Sequence, residues 1–254
     1  MSSQKDIILE ARHLTKSFGL YRTNRHDVIK GIDLKIYSGE FVCIMGPSGS
    51  GKTTLLNLLS TIDAPTTGSV IINNISVGKL GLIGLADFRH EHLGFIFQDF
   101  YLNERLSVFK NIATPLLVNN VDKEEIRHRV QDIAYLLHIE DQLDKMADQC
   151  SRGQKQRIAV ARALITNPKL IVADEPTGNL DQKNAHELLK ILQKLNKRLN
   201  LTILLVTHDL LVASYSSRFF YLKDGQITTE FERGELSQLD YLHRIRDCFE
   251  DEES

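Results

Sequence analysis

The residues best suited to chemistry form one continuous stretch: Gly46, Pro47, Ser48, Gly49, Ser50, Gly51, Lys52, Thr53 and Thr54. A chain of phosphates needs closely spaced backbone N–H donors, and glycines supply them by letting the backbone approach. It also needs a cation on the outer phosphates and a hydroxyl ligand for Mg2+. Lys52 and Thr53 are those types at that spacing. The stretch follows the apolar run FVCIM and precedes the helical pattern LLNLLS. That order sets it at a helix N-terminus, where backbone donors and the dipole favour an anion. A glycine-rich surface turn is the alternative reading, and the strand-then-helix context weighs against it.

A second element is KLIVADEP, residues 169–176, an apolar run ending in adjacent carboxylates. Asp174 at the end of such a strand is placed to hold Mg2+, directly or through water. Glu175 is placed to take a proton from an attacking water. Gln98 and His208 also directly follow apolar runs, GFIF and LTILLVT. In a parallel sheet the strand ends line the ligand crevice. There Gln98 would reach the metal or the water, and His208 the last phosphate. Each alone also reads as a loop residue; their conjunction favours a shared site.

The third element is CSRGQKQR, residues 150–157. Ser151 and Gln154 have the spacing of a capping box that opens a helix. Arg152 falls in the first turn, where a cation meets the positive end of the dipole at a cost of about 0.3–1 kcal/mol. An anion at this helix N-terminus would offset that cost.

These pieces need a scaffold. The chain has 254 residues, of which 42% are hydrophobic and 25% charged, an ordinary globular composition for one large domain. Its 31 Lys+Arg against 33 Asp+Glu leave a net charge of −2, which argues against nucleic acid as the main partner. Cys43, Cys150 and Cys248 are far apart and lack metal-binding spacing, so buried thiols are expected. The N-terminus lacks a secretory apolar core, and no apolar run approaches the ~18 residues that span a bilayer. A soluble chain is expected, with any membrane role exercised through a partner.

Apolar patterning predicts strands at IDLKI, FVCIM, GSVIIN, LGFIF, KLIVAD and LTILLVT, and a hairpin in RFFYLKDGQIT turning at Asp224-Gly225. Helices are expected across 106–167, in AHELLKILQKLNKRL with Leu188, Leu192, Leu195 and Leu199 on one face, and near the C-terminus on Leu236, Leu239, Leu242, Ile245 and Phe249. Strands alternating with helices imply a mainly parallel α/β sheet. One domain over 1–254 is expected. Its nucleotide-binding core would comprise 1–98 and 168–230, with a helical subdomain over 99–167 and a C-terminal helix with an acidic tail over 231–254.

GPSGSGKTT, GFIFQ, SRGQKQRIAVARAL, LIVADEPTGNLD and LLVTHD occur in this order. They resemble the Walker A, Q-loop, signature, Walker B with D-loop, and switch histidine of ABC-transporter ATPase subunits, over nearly the whole chain. The resemblance implies a P-loop NTPase (RecA-like) core with an N-terminal antiparallel β subdomain and an inserted α-helical subdomain. It implies ATP and Mg2+ as cofactors, and Lys52, Gln98, Glu175 and His208 in catalysis. Thr53, Gln98 and Asp174 would serve the metal. Phe18, in LTKSFG, matches the aromatic that stacks on adenine, with Val28 as its apolar neighbour.

In that family two cassettes close head to tail. The resemblance therefore implies that Ser151, Gly153 and Gln154 meet ATP held by a second copy, with Asp181 at the seam. It implies a homodimer and a separate membrane permease, and hence a place at the cytoplasmic face of the membrane. The family usually has Leu-Ser-Gly-Gly-Gln where this chain has Cys150 to Gln154. Arg152 either adds a contact to the incoming phosphate or weakens closure, and a positive φ there would strain it. GEFVCIMGPSGSGKTTLLNLLSTID and ADEPTGNLD resemble the lipoprotein-release and macrolide-exporter group. Within it, STID, GFIFQDFYL and VTHDLLVASYSSR look closest to ATPases of bacitracin-type peptide-antibiotic exporters. That likeness implies a groove for a permease helix near Phe100, Tyr101 and Leu102.

Overall fold

The computed structural model of the chain describes residues 6–19, 25–119 and 121–253. Two long strands, β1 (Ile7–Phe18) and β2 (His26–Tyr37), pair antiparallel and lead into a short buried strand, β3 (Phe41–Met45). Then follow α1 (Lys52–Leu59), β4 (Thr67–Ile72), β5 (Ile75–Ser76), α2 (Leu82–His92) and β6 (Leu93–Phe97). Three helices come next: α3 (Val108–Val118), α4 (Lys123–Leu136) and α5 (Arg152–Leu164). The chain returns through β7 (Leu170–Asp174), α6 (Gln182–Leu199), β8 (Thr202–Val206) and α7 (Leu210–Ala213). It closes with β9 (Arg218–Lys223), β10 (Gln226–Glu232) and α8 (Gln238–Glu253).

The strands form two sheets. One is antiparallel, in the order β2-β1-β4-β5; the other has six strands in the order β10-β9-β3-β8-β7-β6. In the larger sheet every pairing is parallel except β10 on β9. That pair is joined by the expected turn, with φ of 48° at Asp224 and 80° at Gly225. Two positive φ values in a two-residue loop match the right-handed twist of the flanking strands. Parallel strands covered on both faces read as unbroken apolar runs, which is why FVCIM and TILLV are buried at every position.

The two faces of that sheet carry separate cores. Val42 and Ile44 pack with Leu55, Leu56, Leu58 and Leu59 of α1. Phe41, Cys43 and Met45, pointing the other way, pack with the apolar residues of α3 to α6 and with Tyr241 and Ile245 of α8. The C-terminal ends of β3, β6, β7 and β8 share one edge, because Phe97, Asp174 and Val206 are register partners across β6, β7 and β8. Gly46, Gln98, Glu175 and His208 therefore leave the sheet along that edge.

Several expectations need correcting. Helix α2 carries no helical signal in the sequence because its apolar residues do not form a stripe: Leu82 and Ile83 are 88% and 80% exposed, and only Phe88 is buried. In α6, Leu188, Leu192 and Leu195 are buried, but Leu199 is 57% exposed where the helix ends at left-handed Asn200. In α8 the buried face is Tyr241 and Ile245; Leu239 is exposed, and Leu236 precedes the helix. Cys43 and Cys150 are buried as expected, whereas Cys248 is only half-buried.

Candidate functional site

Gly51 precedes α1 in a left-handed conformation, φ 101°, which a residue with a Cβ adopts only at a cost. Helix α1 then starts at Lys52, pointing its unpaired N–H groups at the sheet edge. The loop encloses a cavity of about 620 Å3 lined by Val28, the glycine-rich loop with Lys52, Thr53 and Thr54, and by Glu175, His208 and Phe249. A cavity of about 630 Å3 lies at the opposite edge of the sheet, among Ser38, Asn167, Lys169 and Asn200, and holds none of the predicted residues. Chemistry, not volume, singles out the first.

Lys52 Nζ donates to the carbonyls of Gly46 and Pro47, each at 2.9 Å. Burial pushes its ammonium below the usual lysine value, while the charges of Glu175 and Asp174 pull it back up. Asp174 shows the converse. Burial and the Glu175 charge raise its carboxyl above the usual range, and a hydrogen bond from Thr53 and the Lys52 charge oppose the rise. Two carboxylates near enough to repel, one of them bonded by a hydroxyl, form a hard-oxygen set that a divalent cation would relieve. The Ser50 hydroxyl is buried with no hydrogen-bond partner among the described residues. A triphosphate with Mg2+ thus fits what this loop offers.

Glu175 has φ 45°, an uncommon conformation for a residue with a side chain. Its backbone nitrogen donates to Val206 at 3.0 Å, tying it to the end of β8. One carboxylate oxygen accepts from the Thr207 hydroxyl at 2.9 Å; the other accepts from the His208 backbone at 3.0 Å and lies 2.6 Å from His208 Nδ1. Thr207 is fully buried, and it is the member of this trio that sequence reasoning misses. An ordinary polar residue beside a histidine carries no signal of its own.

The structure brings together Val28, residues 46–49, residues 51–54, Glu175 and His208 around one cavity. Ser50 and Asp174 flank it without lining it. Gln98 is exposed on the same sheet edge, and its side chain lies against Gly178, where an added Cβ would meet it at 2.9 Å. Phe18 is not among the residues that line the cavity. It ends β1, is 46% exposed, and has Lys16 Nζ 5.0 Å over its ring. Outside the glycine-rich loop, the apolar side chains that line the cavity are Val28 and, unforeseen, Phe249 of α8, whose ring packs edge-on to Tyr221 at 5.6 Å.

Ser151, Gly153, Gln154 and Asp181 are also apart from this cavity, at the N-termini of α5 and α6. The capping box is formed. Gln154 N donates to Ser151 Oγ at 3.3 Å, and Gln154 Oε1 accepts from Ser151 N at 2.9 Å. Arg152 is the first helical residue, exposed and with no positive φ, so the glycine of the usual motif is not needed there for conformation. Among the described residues no cluster of three His, Cys, Asp or Glu side chains could hold a metal, and no helix is long and apolar enough to cross a membrane.

Comparison with known proteins agrees with this geometry. Residues 29–178, more than half of the chain, match the family model described as ABC transporter. The chain is 46% identical over 238 residues to the bacitracin export ATP-binding protein BceA of Halalkalibacterium halodurans, covering 94% of each. It is 38% identical to the lipoprotein-releasing system ATP-binding protein LolD of Geobacter metallireducens, over 88% of this chain and 99% of that one. The dimeric post-hydrolysis structure of the ATP-binding cassette MJ0796 bound to ADP and Pi superposes with a TM-score of 0.80 at 38% identity, over 88% of this chain and 98% of that one. With a glycine-rich loop around Lys52, a paired Glu175 and His208, and relatives of this extent, the chain belongs to the ABC transporter family, as an ATP-binding subunit that hydrolyses ATP with Mg2+.

Proposed function

We propose that this subunit drives a separate membrane permease from the cytoplasmic face of the membrane, and that the pair exports or confers resistance to a peptide antibiotic of the bacitracin type. The observation that carries the enzymatic part is the meeting of Lys52, Thr53, Glu175 and His208 around one cavity. Backbone donors of 46–54 and Lys52 hold the phosphates of ATP. Thr53 and Asp174 would hold Mg2+, with Gln98 reaching it from the same sheet edge, and the ion would neutralise charge developing on the transferred phosphoryl group. Glu175 takes a proton from water as the water oxygen bonds to the γ-phosphorus and the bond to the ADP oxygen breaks. The Thr207 hydroxyl and His208 fix the Glu175 carboxylate for that step.

Each chain carries one phosphate loop and one signature helix, and the two lie apart in the fold. In the reading we favour, two copies close head to tail. Ser151, Gly153 and Gln154 of one then complete the site of the other, with Asp181 beside it. The related cassette MJ0796 is described as dimeric, which supports this reading. The permease contact is assigned to a cavity of about 310 Å3 lined by Phe95, Phe97, Pro115 and Arg162. Tyr101 borders it, 67% exposed and edge-on to Phe97 at 5.2 Å. Leu102 instead packs partly on the core, and Arg162 binds the Phe100 carbonyl at 2.8 Å.

The peptide-antibiotic assignment rests on the likeness to BceA over almost the full length of both chains. The likeness to LolD supports lipoprotein release as the second reading. The test is expression of the chain with its cognate permease in a bacitracin-sensitive host. Raised resistance that is lost with Glu175→Gln supports the proposal. Unchanged resistance, with lipoprotein release dependent on the chain, favours the second reading.

A further inference from the structure

The geometry points to Asn184 as a positioning residue that ties the Asp181 loop to the N-terminus of the signature helix, so that the two elements meeting a second cassette move as one. Asn184 lies in the first turn of α6, half-buried. Its backbone nitrogen donates to Asp181 Oδ1 at 2.9 Å, and its side-chain Nδ2 donates to Asp181 Oδ2 at 2.6 Å. Both carboxylate oxygens of Asp181 are thus held by one residue, and these hydrogen bonds keep the carboxyl below its usual range.

The other face of the same amide lies on α5. A Cβ built on Gly153 would fall 2.7 Å from Asn184 Oδ1 and 3.0 Å from its Cγ. Gly153 is buried under that contact, although it lies within the first turn of its helix. The amide cannot swing away without releasing Asp181, because Oδ1 and Nδ2 belong to one rigid plane. One turn further on, Arg157 of α5 pairs with Glu187 of α6 at 2.6 Å, and it also donates to the Leu137 carbonyl at 3.3 Å. The helix pair therefore meets at two levels, one an ion pair and one close packing. Arg157 bonds the helix bodies together, while the Asn184 amide packs against Gly153 between the two N-termini expected to enter the partner's site. Glycine at 153 serves this contact as well as any phosphate.

The assignment rests on the two-cassette reading above. The test uses the full chain with Asn184→Ala and Asn184→Asp. It measures steady-state ATPase, the thermal midpoint, and ATP-driven dimerisation in a Glu175→Gln background, where slow hydrolysis lets a closed pair accumulate. Asn184→Ala is expected to lower kcat about ten-fold, the loss of one hydrogen bond to a charged group, with KM for ATP within about two-fold. Asn184→Asp keeps the shape but sets a carboxylate against Asp181, and is expected to lose more of both kcat and dimer. A role confined to stability would lower the midpoint equally in both variants and leave kcat per folded chain unchanged, which overturns the assignment. Dimerisation of both variants at the parent level also overturns it. If the parent hydrolyses ATP without ever dimerising, the two-cassette reading falls and takes the assignment with it.

Discussion

The Glu175 carboxylate lies 2.6 Å from Nδ1 of His208, although the two residues are 33 positions apart and follow different strands. The pairing follows from sheet register: Asp174 and Val206 are partners at the ends of β7 and β8, so the residues that follow them meet over the edge. On the proposed mechanism Glu175 and His208 act as one unit, and substitutions within it should not add. Glu175→Gln should lower kcat by about 10²–10⁴-fold, while ATP is still bound. His208→Ala should cost a similar factor, and the double variant little more than either alone. Phosphate release by the purified chain and a nucleotide-binding titration measure both; additive losses would show that the pair does not act together.

Asp174 provides a pH test. Its carboxyl is raised in the folded chain, chiefly by burial and by the Glu175 charge. A raised acid costs stability once pH exceeds its unfolded value, and the cost disappears below that value, where both states are protonated. Asp174→Asn should therefore raise the thermal midpoint near pH 8 in the absence of divalent cation. The gain should be roughly 1–2 °C after allowance for solvent screening. It should vanish below the usual carboxylate range, and Mg2+-dependent ATPase should be lost at every pH. A midpoint lowered equally at high and low pH would contradict the sign.

Arg152 stands where the family usually has glycine. It is exposed, opens α5, and has no positive φ, so no backbone strain is attached to it. Arg152→Gly should leave kcat within about two-fold and lower helix stability slightly, since glycine is the poorer helix former. A large gain in ATPase would mean that the arginine opposes closure.

Phe249 lines the nucleotide cavity from a helix that begins beyond the matched family segment. Its ring rests on Tyr221, a register partner of Met45, the residue before the phosphate loop. Phe249→Ala should raise KM for ATP by roughly three-fold, the order of one aromatic contact, and leave kcat nearly unchanged. An unaltered KM would remove Phe249 from the site.

Much of this protein is legible in the order of its residues. The phosphate loop is contiguous, so its glycines, Lys52 and Thr53 announce themselves by spacing. Covered parallel strands are read as apolar runs, and the residue after each run falls on the common edge. Ser151 and Gln154 form their capping box from local geometry alone. What joins distant segments is not legible in that way. No local rule seats Thr207 on Glu175, brings Phe249 of the last helix to the phosphate loop, or lays Asn184 on Gly153. Nor does any local rule leave Phe18 half-exposed at the end of β1. Backbone conformation and periodicity depend on neighbours within a turn or two, so the sequence itself determined the elements and the polar residues that follow them. Side-chain contacts across sheet edges and helix pairs depend on register and packing, and those only the tertiary structure decided.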